Sequence, residues 1–378
     1  MISIDGFRWD YLQKFAAPTL RQLAAAGVHA TRMTPSFPSK TFPNHYTLVT
    51  GLYPEHHGIV SNYFYDPVQD RKFAMNNAAN NTEPVWWGGE PIWITAERQG
   101  VRSACFYWPG SEVEHQGLLP SFHRTFDKKV TSVERVDGVL AWLALPADQR
   151  PRLTAMYFDI VDTIGHKFGP DAPETGAAVQ EVDRAIARLL DGLARLGLRE
   201  STSLVVVSDH GMTPVDSHRI VFLEDLMTVA DVRIEAYGPN GGVSPKTGSA
   251  AELAANIRAK QAPHVHVFLR EEVPERLHYR NNPRIPAVVL MADEGWNIDT
   301  KVGWPNRAPG FDLGTHGYDP DSPNMGALFI ASGPAFRRGV EIPDVANIHV
   351  YNLLCAVLGL QPAPNDGDQR LVRAALRR

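Results

Sequence analysis

Residues of metal-ligating type stand where the chain leaves its apolar runs. Asp5 follows Ile2-Ser-Ile4, Asp162 and His166 follow Leu153 to Asp159, and Asp209 and His210 follow Leu204-Val-Val-Val-Ser208. His316 lies in Gly314-Thr-His-Gly-Tyr318. Mixed imidazole and carboxylate donors suit zinc better than magnesium or calcium, which prefer all-oxygen shells. These residues exceed the needs of one tetrahedral ion. Two ions about 4 Å apart would divide them, and such a pair stabilises both the attacking and the leaving oxygen of an in-line displacement at phosphorus.

That chemistry asks for a nucleophile. Thr41, in Pro38-Ser-Lys-Thr-Phe-Pro-Asn-His45, stands just ahead of a helical run over Phe42 to Thr50. Pro43 fits a first helical turn, so Thr41 lies near an N-cap, where backbone N–H groups and the helix dipole favour phosphate. Taken singly, each residue has an ordinary reading: threonine caps helices, aspartate ends strands in turns, and histidine packs. The combination is what points to phosphoryl chemistry. His264 and His266 alternate in Pro263-His-Val-His-Val-Phe268 with no strand-end carboxylate evident nearby, and are read as structural. His45, His56 and His57 are read as packing or supporting residues; Lys40 is a candidate phosphate contact or an ordinary helix-start lysine.

The elements that must position these residues alternate. Strand character appears up to Asp5 and over Val101 to Tyr107, Leu153 to Asp159, Leu204 to Ser208, Ala287 to Met291 and Ala327 to Ala331. Helical spacing is clearest over Gly176 to Leu196, with Gly197 placed to end it. Further helices are predicted at Thr19 to Ala26, Phe42 to Thr50, Val133 to Leu143, Ala251 to Lys260 and Tyr351 to Leu358. The pattern predicts an α/β fold, a mostly parallel central sheet with helices on both faces. Ligand groups then collect beyond the carboxyl ends of the strands. Residues 1–378 read as one catalytic domain with insertions at about 68–90 and 213–314 that line or cover the site. The second contains the flexible-looking Gly238-Pro-Asn-Gly-Gly242.

Composition adds limits. With 37 basic and 42 acidic residues the formal charge is -5, so no global basic field points to a nucleic-acid polymer or an anionic membrane. No run approaches the roughly 18 to 20 apolar residues of a membrane span. Met1-Ile-Ser-Ile-Asp5 reads as the end of a buried strand, which predicts a trimmed start and leaves any export signal outside this chain. Cys105 and Cys355 are expected to be buried thiols rather than a disulfide.

The sequence resembles the nucleotide pyrophosphatase/phosphodiesterase family of the alkaline phosphatase superfamily. The likeness runs through Ile4-Asp-Gly-Phe-Arg8, Lys40-Thr-Phe-Pro-Asn-His-Tyr46, Thr50-Gly-Leu-Tyr-Pro-Glu55, Gly58-Ile59, Glu90-Pro-Ile-Trp93 and Trp108-Pro-Gly-Ser111. It continues through Asp162, Gly165-His166, Gly169-Pro170, Ser208-Asp-His-Gly-Met212 and His316-Gly-Tyr-Asp319. The resemblance implies two zinc ions, one on Asp162, His166 and His316 and one on Asp5, Thr41, Asp209 and His210. It implies a phospho-threonine intermediate and Asn62 as donor to a phosphate oxygen. Phe42 and Tyr157 would hold a nucleotide base by stacking. The expected substrate is a small nucleotide diester or pyrophosphate, the product a nucleoside 5'-monophosphate, and the setting periplasmic or extracellular.

Rival readings share the fold. A sulfatase needs Cys/Ser-x-Pro-x-Arg where this chain has Thr41-Phe-Pro-Asn-His45. A lipid-headgroup (choline-type) phosphodiesterase, a phosphomonoesterase or a phosphonate hydrolase would use the same ligands. A silent binding protein would have no need of the whole set.

Overall fold

The computed structural model describes residues 1–377. Its central sheet has eight strands: β1 (Ile2–Ile4), β2 (Val28–Ala30), β3 (Ser103–Phe106), β4 (Phe122–Arg124), β5 (Leu153–Phe158), β6 (Leu204–Val207), β7 (Phe329–Ser332) and β8 (Val340–Ile342). They lie in the order β8-β2-β7-β6-β1-β5-β3-β4. Every neighbouring pair is parallel except those made by β7, which runs antiparallel to both β6 and β2. The reason is local: the chain leaves His316 at the carboxyl edge of the parallel strands, so the next strand must run back from that edge.

Both faces of the sheet are buried, and the strands are accordingly apolar on both. Val205, Val207, Phe329 and Ala331 enter one core with Tyr46, Leu48, Val49, Tyr351 and Leu353. Leu204, Val206, Leu328 and Ile330 enter the other with Leu20, Val136, Val179, Ile186 and Leu189. Alternate side chains of one strand thus serve opposite helix layers. The covering helices are α1 (Pro18–Ala26), α2 (Thr41–Thr50), α3 (Ser132–Leu143), α4 (Ile160–Phe168), α5 (Pro173–Arg195) and α6 (Val350–Leu358). α3 starts on a capping box, Thr131 with Glu134. α5 ends at Gly197, whose φ of 70° closes the helix by Leu198 N–H to Leu193 O at 2.8 Å.

The strand predicted at Ala287 to Met291 forms as Val288–Ala292, but outside the central sheet. It joins a separate antiparallel sheet with Val232–Ala236, Asn240–Pro245 and Val265–Leu269. The glycine-rich run that looks flexible in sequence is therefore part of a strand, with Gly241 opposite Leu290. Three short strands, β2, β4 and β8, carry His29, His123, Arg124 and Glu341 and gave no apolar signal. The segment 213–314 is clasped at its base, where Thr213 pairs with Thr315 and Pro214 with Gly314. Residues 63–74 form a hairpin, and Trp86 and Trp87 after it are buried in the core rather than open at the site. Arg284 ties the two segments together, bonding Asp66, the Gly58 and Trp86 carbonyls and the Val85 carbonyl. Among the described residues no helix is long and apolar enough to cross a membrane. Cys105 and Cys355 are free and buried.

Candidate active site

β6, β1 and β5 are adjacent and parallel at the middle of the sheet, so Asp209 and His210, Asp5, and the start of α4 emerge side by side at one edge. α4 carries Asp162 and His166 one turn apart on one face. His316 arrives from the clasp of the long segment. Gly6 lets the chain turn away from β1: its φ is 66°, and a Cβ there would lie 2.9 Å from the Asp162 Cα.

The donor atoms converge in overlapping groups. Asp162, His166 and His316 form one, Asp5, Asp162 and His210 a second, and Asp5, Asp209 and His45 a third, each with its donor atoms within 4.8 Å of one another. His166 Nε2 and His316 Nε2 are 3.2 Å apart and lie 3.5 and 3.6 Å from Asp162 Oδ1. His210 Nε2 lies 2.9 Å from Asp209 Oδ2 and 3.5 Å from Asp5 Oδ1. The far nitrogens are all engaged: Nδ1 of His166, His316 and His210 face the carbonyls of Gly314, Ser39 and Gly211 at 2.8, 2.7 and 2.9 Å. In a neutral ring an Nδ1–H donated to a carbonyl leaves Nε2 as a bare lone pair, the tautomer a metal takes. At His210 burial is outweighed by the facing Asp209 carboxylate, which raises the pKa, so that ring holds a proton more tightly until an ion displaces it.

A fit to metal is tested by the oxygens. Asp5 Oδ1, Asp162 Oδ1 and Asp209 Oδ2 are buried without a hydrogen-bond partner, and burying a carboxylate uncompensated is costly. Burial, then the charges of Asp209 and Asp162, drive the Asp5 pKa well up. Burial also raises Asp162, against the pull of His166 and His210. Burial alone would raise Asp209, but His210 and His45 outweigh it and hold it well below the usual carboxylate range. Burial, His210 and His166 depress His316, keeping it neutral. Crowded carboxylates facing bare imidazole nitrogens form groups able to bind metal ions.

Thr41 is the first residue of α2, one place inside the helix rather than at its cap, since Lys40 is the extended N-cap residue. Its Oγ1 lies 3.4 Å from His210 Nε2. Asn62, which spacing alone could not single out, accepts the Phe42 N–H at Oδ1 (2.9 Å). That bond caps the helix and orients the amide so that its NH2 is the remaining donor. Phe42 is half-buried against Phe73 and Trp87, with ring centroids 6.0 Å away in each case. Tyr157 sits deeper: its hydroxyl donates to Asp5 Oδ2 at 2.6 Å and its ring meets His45 edge-on at 5.0 Å.

His45 belongs to this constellation more closely than its sequence setting indicates. Nδ1 lies 2.9 Å from the Thr41 carbonyl and 3.3 Å from Asp209 Oδ2, and Nε2 lies 2.8 Å from Ser3 Oγ. The available signal was its place four residues after Thr41 on one helix. His57 stands behind α2, its Nε2 3.2 Å from the Pro43 carbonyl. His264 and His266 lie outside the three groups; contrary to the sequence reading, a strand-end carboxylate does accompany them, Asp293, at 3.0 and 2.8 Å.

Known proteins share this arrangement's frame. The family profile described as type I phosphodiesterase / nucleotide pyrophosphatase matches residues 1–319. A Schizosaccharomyces pombe protein named an uncharacterized pyrophosphatase/phosphodiesterase is 41% identical over 377 residues, 97% of this chain and 78% of its own length. The Macrovipera lebetinus venom phosphodiesterase is 39% identical and mouse ectonucleotide pyrophosphatase/phosphodiesterase family member 1 is 38% identical, each over 97% of this chain. This chain spans only 44% and 41% of those two proteins. Murine ectonucleotide pyrophosphatase/phosphodiesterase 5, solved in an inactive form with AMP, superposes with a TM-score of 0.93 at 35% identity, covering 100% of this chain and 98% of that one. The chain therefore belongs to the type I phosphodiesterase / nucleotide pyrophosphatase family of hydrolases, with the α/β fold of its solved members.

Proposed function

We propose that this chain hydrolyses nucleotide phosphodiesters or pyrophosphates to nucleoside 5'-monophosphates, with Thr41 as nucleophile and two zinc ions as cofactors. The observation that carries the reading is Thr41 Oγ1, 3.4 Å from His210 Nε2, beside the partnerless oxygens of Asp5, Asp162 and Asp209. Asp162, His166 and His316 would hold one ion, and Asp5, Thr41, Asp209 and His210 the other. Bound there, zinc supplies Lewis-acid stabilisation of charge on phosphoryl oxygens and lowers the pKa of hydroxyl and water.

The chain's own residues do the rest. Thr41 Oγ1 forms a bond to phosphorus as the bond to the leaving oxygen breaks, and water then cleaves the phospho-threonine, restoring the hydroxyl. The α2 N-terminus faces the phosphoryl group, and the Asn62 amide donates to one of its oxygens. An amide there adds no positive charge, which suits a singly charged diester better than a dianionic monoester. Phe42 offers a ring for a base.

The same reading takes residues 1–378 as one catalytic domain carrying insertions at about 68–90 and 213–314. The AMP complex of the murine structural relative supports a small nucleotide substrate, and the names of the ecto- and venom enzymes support a periplasmic or extracellular setting. Rates on a p-nitrophenyl nucleotide diester and the matching monoester test it. A diester preference abolished by Thr41→Ala is expected; a monoester preference, or hydrolysis surviving in Thr41→Ala, overturns it.

A further inference from the structure

A groove of about 840 Å3 opens beside Asn62, and neither Phe42 nor any of the clustered carboxylates and imidazoles lines it. Its position relative to the cluster is defined by Asp312, whose Oδ2 is 3.5 Å from His166 Nδ1, and by Thr315, next to His316. The groove thus reaches the Asp162, His166 and His316 side, and through Lys40 and Asn62 it also touches the start of α2, where Thr41 lies beside His210. An in-line displacement expels the leaving oxygen away from the attacking one. A leaving group expelled towards Asp162, His166 and His316 would enter this groove.

The walls describe what departs. Charge is balanced, with Lys40, Lys72 and Arg307 set against Glu235, Asp299 and Asp312. Arg307 is moreover paired with Asp299, its Nε 2.8 Å from Oδ2. Glu235 is in turn paired with Arg233 at 2.8 Å, so Lys40 and Lys72 stand against Asp312 alone, a weak net field for a free pyrophosphate tail. Rings are what it does offer: Tyr63, Tyr65, Tyr237 and Trp304 all line it. Tyr63 and Tyr237 are 43% and 46% exposed, so their rings are not spent on internal packing. Arg307 stands 5.3 Å from the Tyr237 centroid and Arg233 3.8 Å from that of Tyr65, cations that hold those rings in place. Exposed aromatic rings beside a phosphoryl site bind planar bases by stacking, with little regard for base identity.

We propose that this groove is a subsite for a second nucleobase on the leaving group, with Tyr237 and Trp304 determining preference for dinucleotide substrates. The inference rests on the phosphodiesterase reading above. In the reaction one water is added across the bridging P–O bond. The bridging oxygen leaves with the second phosphate and the bond's electron pair, the water oxygen ends on the first phosphorus, and the surplus proton passes to solvent.

Diadenosine diphosphate and ADP-ribose test this on the zinc-loaded chain, because they share the cleaved bond and the charge and differ in the second adenine. The expected kcat/KM favours diadenosine diphosphate by roughly tenfold, the scale of one base–aromatic stack. The ratio should fall to near one in the Tyr237→Ala, Trp304→Ala double variant and persist in Tyr237→Phe. A wild-type ratio near one, or a tenfold ratio that survives the double variant, overturns the subsite. No cleavage of either substrate by the wild-type chain instead overturns the phosphodiesterase reading, and this inference with it.

Discussion

The Tyr157 hydroxyl donates to Asp5 Oδ2 at 2.6 Å, while Asp5 Oδ1 is buried without a partner. One oxygen is thereby committed to the protein and the other is aimed at the site. Burial and the neighbouring carboxylates push the tyrosine pKa far up, so it stays a donor. Tyr157→Phe removes only this bond, freeing the carboxylate to rotate. Metal affinity is expected to fall about 10- to 100-fold with the fold intact, the usual effect of losing a residue that orients a ligand. Zinc competition against a chromophoric chelator measures it, and unchanged affinity would show that Asp5 is held without Tyr157.

The crowding of Asp5, Asp162 and Asp209 has a stability consequence. Asp5's folded pKa is raised above its ordinary 3.8, so its contribution favours folding below that value and is lost as pH climbs through the raised one. Above that raised value a metal-free chain carries a charged Asp5 among two other carboxylates. Asp5→Asn should stabilise the metal-free protein by on the order of 1–3 kcal/mol, since a neutral amide can still accept from Tyr157 and donate towards Asp209. With zinc present the order should reverse. Melting curves in EDTA and in zinc decide, and a variant less stable in EDTA would count against the reading.

Much of this was legible in sequence because strand ends and ligand residues coincide. Asp5, Asp209 and His210 each follow a buried apolar strand by one to three residues, so the topology rule for parallel sheets carried them to one edge. Asp162 and His166 were readable by their spacing of four. Asn62 was not, because it sits on a loop and matters through the Phe42 N–H of a helix 20 positions away. The destination of Val288–Ala292 was equally hidden: an apolar run specifies a strand, while its partners are chosen by register and by where the chain returns.

His57 provides a pH signature. Its Nδ1 accepts the Ile59 N–H at 3.1 Å and its Nε2 faces the Pro43 carbonyl and Thr47 Oγ1, so the neutral ring is fully used. Burial lowers its pKa from 6.5 to about 3. Below pH 6.5 the unfolded chain takes up a proton that the folded chain refuses, so stability present above 6.5 drains away as pH falls towards 3. The loss amounts to on the order of 4 kcal/mol over that window. His57→Asn keeps an acceptor for Ile59 and removes the titration. Its unfolding midpoint in urea should change less than the wild type's between pH 7 and pH 4; parallel slopes would dismiss the assignment.

Arg284 links stability to the Asn62 and Phe42 side of the site. Its Nε lies 2.7 Å from Asp66 Oδ2, and its other nitrogens reach the carbonyls of Gly58, Trp86 and Val85 at 2.9, 2.7 and 2.9 Å. Those carbonyls belong to the turn before Asn62 and to the stretch that brings Trp87 against Phe42. Arg284→Ala strands a buried carboxylate and these acceptors, which costs about 3–5 kcal/mol. Because the lost anchor holds Asn62's loop and Phe42's backing, the KM for a nucleotide diester should rise more than the metal affinity falls. Arg284→Lys can restore one bond but not the fork, and should recover only part of either effect. If zinc affinity dropped as far as nucleotide affinity, the damage would lie in the sheet edge rather than in this clamp.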